Sequence, residues 1–349
     1  MKGNEAIAEA AINARCLHFF GYPITPQTEI AAYMSRRLPK LGGVYLQAES
    51  EIASINMVLG AAAAGARIMT SSSSPGISLM SEGISYIAGC DLPCVIVNIQ
   101  RGGPGLGGIQ PSQADYFQAT RSSGHGDFHS IVLAPNSVQE MADLTGVAFD
   151  LADKYRMPAM ILGDGILGQM MEPVTLDGIG EPVTYDKPWA TTGTRGAREH
   201  NIINSLILKP EGLEQSNFKR FERYAIIKRE EQLHEEYLTD DADIIIAAYG
   251  AASRVSKNAI KMVRERGIKA GLIRPITLWP FPAEAFAKFA DRVKGFISVE
   301  MSMGQLIDDV KLSTGQKRPV TLCARTGGMV HTPEEIAKKI MAADKGEWQ

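Results

Sequence analysis

Two glutamates lie close together in the tripeptide Glu49-Ser50-Glu51, directly before a segment rich in alanine and isoleucine. This segment predicts a helix over residues 51–64, which places Glu51 in the first turn, where the helix dipole stabilises a carboxylate. If the strand predicted at Val44–Gln47 continues, side-chain alternation puts Glu49 on the same face as Glu51. The residues indicate a functional carboxylate here. They do not exclude an ordinary N-terminal glutamate, and they do not choose between the two positions.

Three other segments with unusual chemistry lie mostly where predicted strands end in loops. They are the loop Tyr22–Gln27, the serine run Ser71–Gly76 and the stretch Arg101–Gln113. Open α/β sheets bind their ligands at the carboxyl ends of their strands. We therefore expect these segments and the glutamate tripeptide to contribute to one site.

Glycine is concentrated in the stretch Arg101-Gly-Gly-Pro-Gly-Leu-Gly-Gly. A glycine-rich loop after a strand could cradle a phosphate. The stretch lacks the GxGxxG pattern followed by a helix, and no Gly-Lys-Ser or Gly-Lys-Thr follows it. A mobile loop that lets the backbone approach a ligand is therefore the simpler interpretation.

The histidines and cysteines are weaker candidates. His125 and His129 could act as acid–base groups, but the sequence shows no partner for either, so loop histidines without a catalytic role are the simpler interpretation. The spacing of the cysteines does not match a zinc site or an iron–sulfur cluster. We expect buried or half-buried free thiols and no disulfide at all four positions, which are Cys16, Cys90, Cys94 and Cys323.

The elements that must position these residues alternate between strand and helix over residues 1–185, which is typical of a parallel α/β sheet. Asn4 is the predicted N-cap of the first helix, and another helix opens at Thr28. We predict strands at residues 44–47, 67–71, 94–100, 130–134 and 158–162, and further helices at 6–16, 51–64, 77–88 and 138–154.

The rest of the chain divides into two further regions. Residues 186–241 read as a linker with a long charged helix over Phe218–Glu236. Residues 242–349 restart the strand–helix alternation as a smaller α/β domain. In that domain we predict strands at residues 242–250, 270–273, 295–299 and 320–323, and a helix over 253–266 with Ser253 as its N-cap.

The composition excludes several classes of protein. The chain has 349 residues, with 36 Lys plus Arg against 39 Asp plus Glu, for a net charge of −3. This balance argues against nucleic acid or an anionic membrane as a main partner. Glu5 and Glu9 interrupt any signal peptide, and the longest apolar run, Met57–Ala66, is shorter than the ~20 residues of a membrane span. We therefore expect a cytoplasmic protein.

Several motifs together resemble one known family. Those of the first region resemble the pyrimidine-binding (alpha-type) subunit of the 2-oxoacid:ferredoxin oxidoreductases. They are Tyr22-Pro-Ile-Thr-Pro, Ser50-Glu51 before an Ala/Gly-rich helix, the serine run with Pro75-Gly76, and Val97-Asn-Ile-Gln-Arg101-Gly-Gly-Pro.

The third region and two shorter stretches extend this resemblance. The segments Ile273-Arg-Pro-Ile-Thr-Leu-Trp-Pro-Phe-Pro and Glu300-Met-Ser-Met-Gly-Gln-Leu are similar to the transketolase-C-terminal-like domain of the family. Met1-Lys-Gly-Asn-Glu-Ala and Asp164-Gly-Ile-Leu-Gly-Gln-Met-Met-Glu-Pro are most similar to the 2-oxoisovalerate (3-methyl-2-oxobutanoate) type.

The resemblance implies a fold and a set of roles. The fold is a thiamine-diphosphate-binding, pyrimidine-type parallel-sheet domain followed by the smaller transketolase-C-terminal-like α/β domain. Glu51 matches the glutamate that bonds the pyrimidine ring nitrogen and favours the imino tautomer, which takes the proton of the thiazolium carbon. Thr25 and Arg101 match the residues that hold the substrate carboxylate, a task suited to the guanidinium fork. The resemblance places cofactor contacts at Pro23, Ile24, Glu51 and Ser74.

The resemblance also implies partner chains. Gly163-Asp164-Gly165 looks like the start of a metal–diphosphate motif, but its asparagine-rich end is missing and Asn201 comes too late. We interpret it as a structural turn and expect no metal on this chain. A beta-type subunit would carry the diphosphate and Mg²⁺, gamma-type and ferredoxin-like subunits would complete the enzyme with the iron–sulfur clusters, and this chain alone would be inactive.

The substrate stays open at this point. The first reading is CoA-dependent oxidative decarboxylation of 2-oxoisovalerate, with electrons passed to ferredoxin. A 2-oxoglutarate enzyme would need a second cation, which Arg121 or His125 could supply. A non-catalytic partner subunit of the same fold and a nucleotide-binding protein using the glycine loop are alternatives from other classes.

Overall fold

A computed structural model describes residues 1–176 and 183–348. Within these ranges the chain forms two α/β units, each built on one sheet. Residues 177–182, which fall in the predicted first region, lie outside the described residues. No helix in the described part is long and apolar enough to cross a bilayer.

Twelve strands form the two sheets in the described part of the chain. In chain order they are β1 (His18–Gly21), β2 (Val44–Gln47), β3 (Ile68–Ser72), β4 (Cys94–Gln100), β5 (Ile131–Leu133), β6 (Pro158–Asp164), β7 (His234–Tyr237), β8 (Ile244–Ala247), β9 (Ala270–Pro275), β10 (Thr277–Trp279), β11 (Gly295–Glu300) and β12 (Val320–Ala324).

The helices pack against these sheets and place side chains at the strand ends. Those of the first half are α1 (Gly3–Asn13), α2 (Thr28–Arg37), a 3₁₀ turn (Leu38–Leu41), α3 (Glu51–Ala63), α4 (Pro75–Gly89), α5 (Tyr116–Thr120), α6 (Val138–Tyr155) and α7 (Gly165–Gln169). Those of the second half are α8 (Pro210–Glu230), α9 (Gly250–Arg264), α10 (Ala283–Ala287), α11 (Leu306–Thr314) and α12 (Pro333–Asp344).

The first sheet has the strand order β10-β5-β6-β4-β3-β1-β2. Strands β3, β4 and β6 are buried along their whole length, as expected for parallel strands covered by helices on both faces. The strand β10 differs from the others because it comes from the second half of the chain and pairs antiparallel with β5. The sequence analysis did not predict this strand.

The second sheet has the order β12-β11-β8-β9-β7 and is parallel except for the antiparallel pair β7 and β9. The prediction that the charged helix continues to Glu236 is wrong, because α8 ends at Glu230 and residues 234–237 form the edge strand β7. An edge strand tolerates charged residues on its exposed face, so its composition resembled that of a solvated helix.

Two predicted caps are also wrong. Helix α1 begins at Gly3, so Asn4 lies within its first turn, fully buried, and its amide donates to the Pro26 carbonyl at 2.8 Å and to Glu29 at 2.9 Å. Helix α9 begins at Gly250, and the Ser253 hydroxyl donates to the Gly250 carbonyl at 2.7 Å. Both side chains bond within or between elements instead of capping a helix end.

Candidate active site

The two glutamates of the tripeptide differ in burial in the structure. Glu51 opens α3 and is 5% exposed, whereas Glu49 is exposed. Ser50 caps the helix by accepting a hydrogen bond from the Ala53 N–H at 3.2 Å. In the described part of the chain no hydrogen bond to the Glu51 carboxylate occurs. The buried carboxylate is therefore available to a ligand.

Glu51 lies against the first turn of helix α4. A Cβ atom at Gly76 would lie 2.6 Å from Glu51 Oε1 and 2.0 Å from Ser72 Oγ, so only glycine fits between these two side chains. The hydroxyls of Ser72 and Ser73 are buried without a hydrogen-bond partner in the described residues. Buried polar atoms normally have partners, so these two hydroxyls are left unsatisfied within the described residues.

Arg101 follows β4 directly and is 8% exposed. Its Nη1 donates to the Thr25 carbonyl at 2.9 Å and its Nη2 to the Leu106 carbonyl at 3.3 Å. Its Nε is buried and has no partner within the described residues. The guanidinium is thus held between the proline loop and the glycine loop by neutral acceptors, which leaves its charge available for an anion.

Thr25, Pro23 and Ile24 lie on the loop between β1 and α2, where Thr25 and Pro23 are exposed and Ile24 is half-buried. The loop is fixed from below by the fully buried Gln27. The Gln27 amide donates to the Tyr22 carbonyl at 3.1 Å, and its oxygen accepts from the Ser71 hydroxyl at 2.6 Å. The predicted contact residues of this loop are therefore at a surface next to Arg101.

Ser74 links Arg101 to helix α4. Its hydroxyl donates to Asp115 Oδ2 at 2.6 Å and accepts from the Arg101 N–H at 3.0 Å. Its own N–H donates to Asn98 Oδ1 at 3.1 Å, and its φ is +22°. The structure therefore uses the hydroxyl of Ser74 to hold the backbone around Arg101.

A cavity of about 660 Å³ opens beside Arg101, and both α/β units line it. The first unit contributes Ser74, Arg101 and Asp115, and the second contributes Met303, Gln305 and Thr326. Burial raises the pKa of the Asp115 carboxyl, and hydrogen bonds from Ser74 and Asn98 act in the opposite direction. Among the described lining residues, Arg101 is the one cationic side chain and Asp115 the one carboxylate.

The second unit is joined to this region by a buried amide. The Gln113 side chain donates to the Tyr249 carbonyl at 2.9 Å and accepts from the Met301 N–H at 3.0 Å. A Cβ at Gly328 would lie 2.4 Å from Gln110 Cβ, so the glycine loop packs directly on the second unit. The wall of the cavity therefore depends on both halves of the chain.

Other predicted candidates lie apart from this arrangement or are already paired. Arg121 pairs with Asp309 at 2.7 Å, and His125 is exposed. His129 stacks on Trp279 with ring centroids 4.5 Å apart and meets Tyr224 edge-on. Burial, with a contribution from nearby Lys228 and Arg121, lowers the pKa of His129 to about 4, so this histidine is neutral near pH 7.

Asp164 occupies a structural position. Its Oδ1 accepts from the N–H groups of Ile166 and Leu167 at 3.0 and 3.1 Å, and its Oδ2 accepts from Ala251 at 3.1 Å. The Asn201 amide donates to the carbonyls of Pro188 and Ala190. In residues 1–176 and 183–348 no group of three or more His, Cys, Asp or Glu side chains is placed to hold a metal.

The thiols are buried or half-buried, as predicted. Cys16 and Cys94 are buried, and burial raises the pKa of each thiol to about 12. Cys90 and Cys323 are half-buried and free. None of the four thiols lines the cavity beside Arg101.

Sequence reasoning placed Gln27, Asn98 and Gln113 inside its named segments without giving them a role, and it missed Asp115. All four make their site contacts across long sequence separations or between elements. Within the named segments no signal distinguished these amides from their neighbours, and the single aspartate outside them matches no motif.

Comparison with known proteins defines the class of the protein. A family described as pyruvate flavodoxin/ferredoxin oxidoreductase, thiamine diphosphate-binding, matches residues 9–237, and pyruvate:ferredoxin oxidoreductase core domain II matches residues 242–336. The chain belongs to this family of 2-oxoacid:ferredoxin oxidoreductases. Both the family and the fold class predicted from the sequence are confirmed.

Sequence identity to individual relatives indicates which members of the family this chain resembles. The chain is 50% identical over 340 residues, 97% of its length and 96% of the relative's, to the ketoisovalerate oxidoreductase subunit VorB of Methanothermobacter marburgensis. It is 38% identical over 365 residues, 98% of each chain, to the 2-oxoglutarate synthase subunit KorA of Methanocaldococcus jannaschii. Both relatives are named as subunits, the first of a ketoisovalerate oxidoreductase and the second of a 2-oxoglutarate synthase.

A solved structure agrees with this assignment. It is the 2-oxoglutarate:ferredoxin oxidoreductase from Magnetococcus marinus with 2-oxoglutarate, coenzyme A and succinyl-CoA bound. The match has a TM-score of 0.88 at 31% identity and covers 100% of this chain and 65% of that chain.

Proposed function

We propose that this chain is the pyrimidine-binding subunit of a thiamine diphosphate-dependent oxidoreductase that decarboxylates a branched-chain 2-oxoacid, 2-oxoisovalerate, in the presence of CoA and passes electrons to ferredoxin. The observation that carries the proposal is the buried, unpaired Glu51 carboxylate against Gly76, with Arg101 at the carboxyl end of β4 in the same sheet. The names of the VorB relatives support the substrate. The proposed domains are residues 1–185, a linker at 186–241, and 242–349.

The residues present fit the pyrimidine end of thiamine diphosphate. Glu51, the proline loop with Pro23 and Ile24, and the first turn of α4 after Ser74 would hold it. The buried hydroxyls of Ser72 and Ser73 without partners are consistent with an additional polar occupant. When bound, thiamine diphosphate supplies a carbon nucleophile for the keto group of the substrate.

The proposed role of Glu51 is to hold a proton at the pyrimidine ring of the cofactor. Its carboxylate would share a proton with the ring nitrogen of the pyrimidine, which favours the imino form of the ring. A buried carboxylate with no internal hydrogen bond in the described residues suits this role, since no other donor competes for it. Glu51 is therefore the proposed catalytic residue on this chain.

Arg101 and Thr25 would bind the substrate carboxylate. Carbonyl groups from two loops fix the Arg101 guanidinium without neutralising it. A charged hydrogen-bond donor fixed in this way binds a carboxylate more strongly than a mobile one, because little side-chain entropy is lost on binding. The exposed Thr25 lies on the loop that Arg101 holds.

The charge around the cavity favours a substrate with one carboxylate. Arg101 is the one cation among its described lining residues, and Asp115 would repel a second carboxylate. Arg121, considered as a second cation, is paired with Asp309. Because the chain is also similar to subunits named KorA of 2-oxoglutarate synthases, 2-oxoglutarate is the alternative substrate.

Partner subunits would complete the site. The side chains of Leu106, Ile109, Met303 and Met329 are exposed on the three loops that border the cavity. Exposed apolar groups beside a cavity are typical of surfaces that a partner covers. The proposed partners are a beta-type subunit with the diphosphate and Mg²⁺ and gamma-type and ferredoxin-like subunits with iron–sulfur clusters.

The Glu51→Gln variant, assembled with its partner subunits, tests the function. We expect kcat for viologen reduction with 2-oxoisovalerate and CoA to fall at least about 100-fold, since a positioned acid–base group contributes that much. Glu49→Gln is the matched control and should stay within about twofold, because Glu49 is exposed. Wild-type activity of Glu51→Gln would contradict the catalytic role.

The same assay tests the substrate. The wild-type complex is compared on 2-oxoisovalerate, 2-oxoglutarate and pyruvate, and kcat/KM should be highest for 2-oxoisovalerate. A higher value for 2-oxoglutarate would reject the branched-chain substrate and leave the role of Glu51 intact.

A further inference from the structure

Asp115 is a carboxylate in the wall of the cavity, and among the described residues no cation pairs with it. Its Oδ2 accepts from the Ser74 hydroxyl at 2.6 Å and from the Asn98 amide at 2.9 Å. Its backbone N–H donates to Gln100 Oε1 at 3.1 Å. Removing a carboxylate from water without a counter-cation is unfavourable. The hydrogen bonds from Ser74 and Asn98 offset this cost and hold the Asp115 side chain in one orientation.

Ser74 transmits the position of Asp115 to Arg101. The hydroxyl has one proton, and its shortest contact is the one to Asp115 Oδ2, so a lone pair faces the Arg101 N–H at 3.0 Å. Asn98 closes the arrangement, because its amide donates to Asp115 and its oxygen accepts from the Ser74 N–H. Three side chains thus fix the backbone of Arg101 at the point where β4 ends.

The same arrangement fixes the start of helix α4. Ser74 precedes α4 and has φ +22° and ψ −81°, a backbone conformation that a non-glycine residue adopts only when its surroundings hold it there. Gly76, two residues later, lies so close to Glu51 Oε1 and Ser72 Oγ that a Cβ atom would not fit. A shift of Ser74 would therefore move both the guanidinium of Arg101 and the wall beside Glu51.

We propose that Asp115 is a positioning residue, which acts through Ser74 and Asn98 to set the distance between Arg101 and Glu51 and thereby the place where the 2-oxoacid carboxylate binds. The inference rests on the proposed function and extends it to a residue that touches neither reacting group. It predicts that the hydrogen-bond acceptor at Oδ2, and not the negative charge, is what the site needs.

Two substitutions separate the acceptor from the charge. Asp115→Asn keeps one oxygen that can accept from both Ser74 and Asn98, and it removes the charge. Asp115→Ala removes the acceptor and leaves both donors without a partner. Ser74→Ala interrupts the same connection at its other end and serves as a second test if Asp115→Ala does not fold.

The experiment measures KM for 2-oxoisovalerate, KM for CoA and kcat in the assembled complex. We expect Asp115→Ala and Ser74→Ala to raise KM for the 2-oxoacid about tenfold or more, which is the loss expected for a displaced charged hydrogen bond. KM for CoA should change less than about twofold. Asp115→Asn should stay within about threefold of the wild type in every constant.

Three results would overturn the inference. They are an unchanged KM for the 2-oxoacid in both Asp115→Ala and Ser74→Ala, an equal rise in the KM values for the 2-oxoacid and CoA, or an Asp115→Asn variant as impaired as Asp115→Ala. Failure of the proposed function is seen separately in the wild-type complex, which would then act on none of the 2-oxoacids or prefer 2-oxoglutarate.

Discussion

Two buried arginines at strand ends, one in each sheet, differ in the groups that accept their hydrogen bonds. Arg101 follows β4 in the first sheet and Arg274 lies near the end of β9 in the second, and they are 8% and 2% exposed. Arg274 donates to both oxygens of Glu140, at 2.9 and 2.7 Å, and to Glu235 at 2.7 Å. Arg101 donates to two backbone carbonyls and keeps its Nε free within the described residues.

The same contrast holds for the carboxylates. Glu300, at the end of β11, accepts from the hydroxyls of Ser298 and Ser302 and from three N–H groups at the start of α11. Glu51 accepts no hydrogen bond within the described residues. Arg274 and Glu300 of the second sheet are thus satisfied inside the protein and maintain its fold, whereas Arg101 and Glu51 remain available to a ligand.

The largest effect is expected at Arg101. The Arg101→Gln variant should lower kcat/KM for 2-oxoisovalerate about 100- to 1000-fold, since loss of one partner of a buried charged hydrogen bond is this costly. Its Tm should stay within about 3 °C of the wild type, because no carboxylate in the described residues loses a partner. Steady-state kinetics and thermal unfolding measure the two quantities. A large loss of Tm with unchanged kcat/KM would show that Arg101 stabilises the fold and does not bind the substrate.

The opposite pattern is expected at Arg274. The Arg274→Gln variant should lose about 3–5 kcal/mol of unfolding free energy, because among the described residues Glu140 would be left partly buried without a cation and Glu235 would keep only Lys257. Urea unfolding measures this loss, and kcat/KM of the folded complex should stay within about twofold. Arg229→Gln is the control, since Arg229 is largely exposed and should change stability by less than about 0.5 kcal/mol. Equal losses in the two variants would refute the structural role of Arg274.

A smaller effect is expected where the two units meet at His129. Its pKa is about 4 in the folded protein and near 6.5 ordinarily, so the unfolded chain binds the proton more readily between these values. The stability contributed by neutral His129 is present above pH 6.5 and is lost as pH falls toward 4. Tm should therefore fall less steeply between pH 6.5 and 5 in His129→Gln than in the wild type, with the exposed His200→Gln as control. Identical slopes in all three proteins would show that His129 does not contribute.

Much of the fold could be predicted from the sequence because its signals are local. The run Cys94–Gln100 is apolar enough to predict a buried strand, and the apolar helices between strands indicate a parallel sheet. The short strand β10 gave no such signal, since its three residues are flanked by Pro275 and Pro280. Its pairing with β5 depends on how the two units pack.

The candidate site could also be predicted only where the signal was local. Motif position singled out Glu51, Thr25 and Arg101, and the structure brings Thr25 and Arg101 into contact and buries Glu51. Asp115 and the role of Gln113 could not be found, because their contacts join segments that are distant in the sequence. The roles of all five residues stay predictions until the variants are measured.

The position of β10 has a consequence for biosynthesis. Residues 277–279 cover the outer edge of β5, and the Ala134 N–H donates to the Ile276 carbonyl at 2.7 Å. A nascent chain that has left the ribosome only as far as residue 241 therefore presents an uncovered sheet edge, and such edges associate with one another. The sheet that carries Glu51 and Arg101 therefore reaches its final form only after residue 279 has been translated.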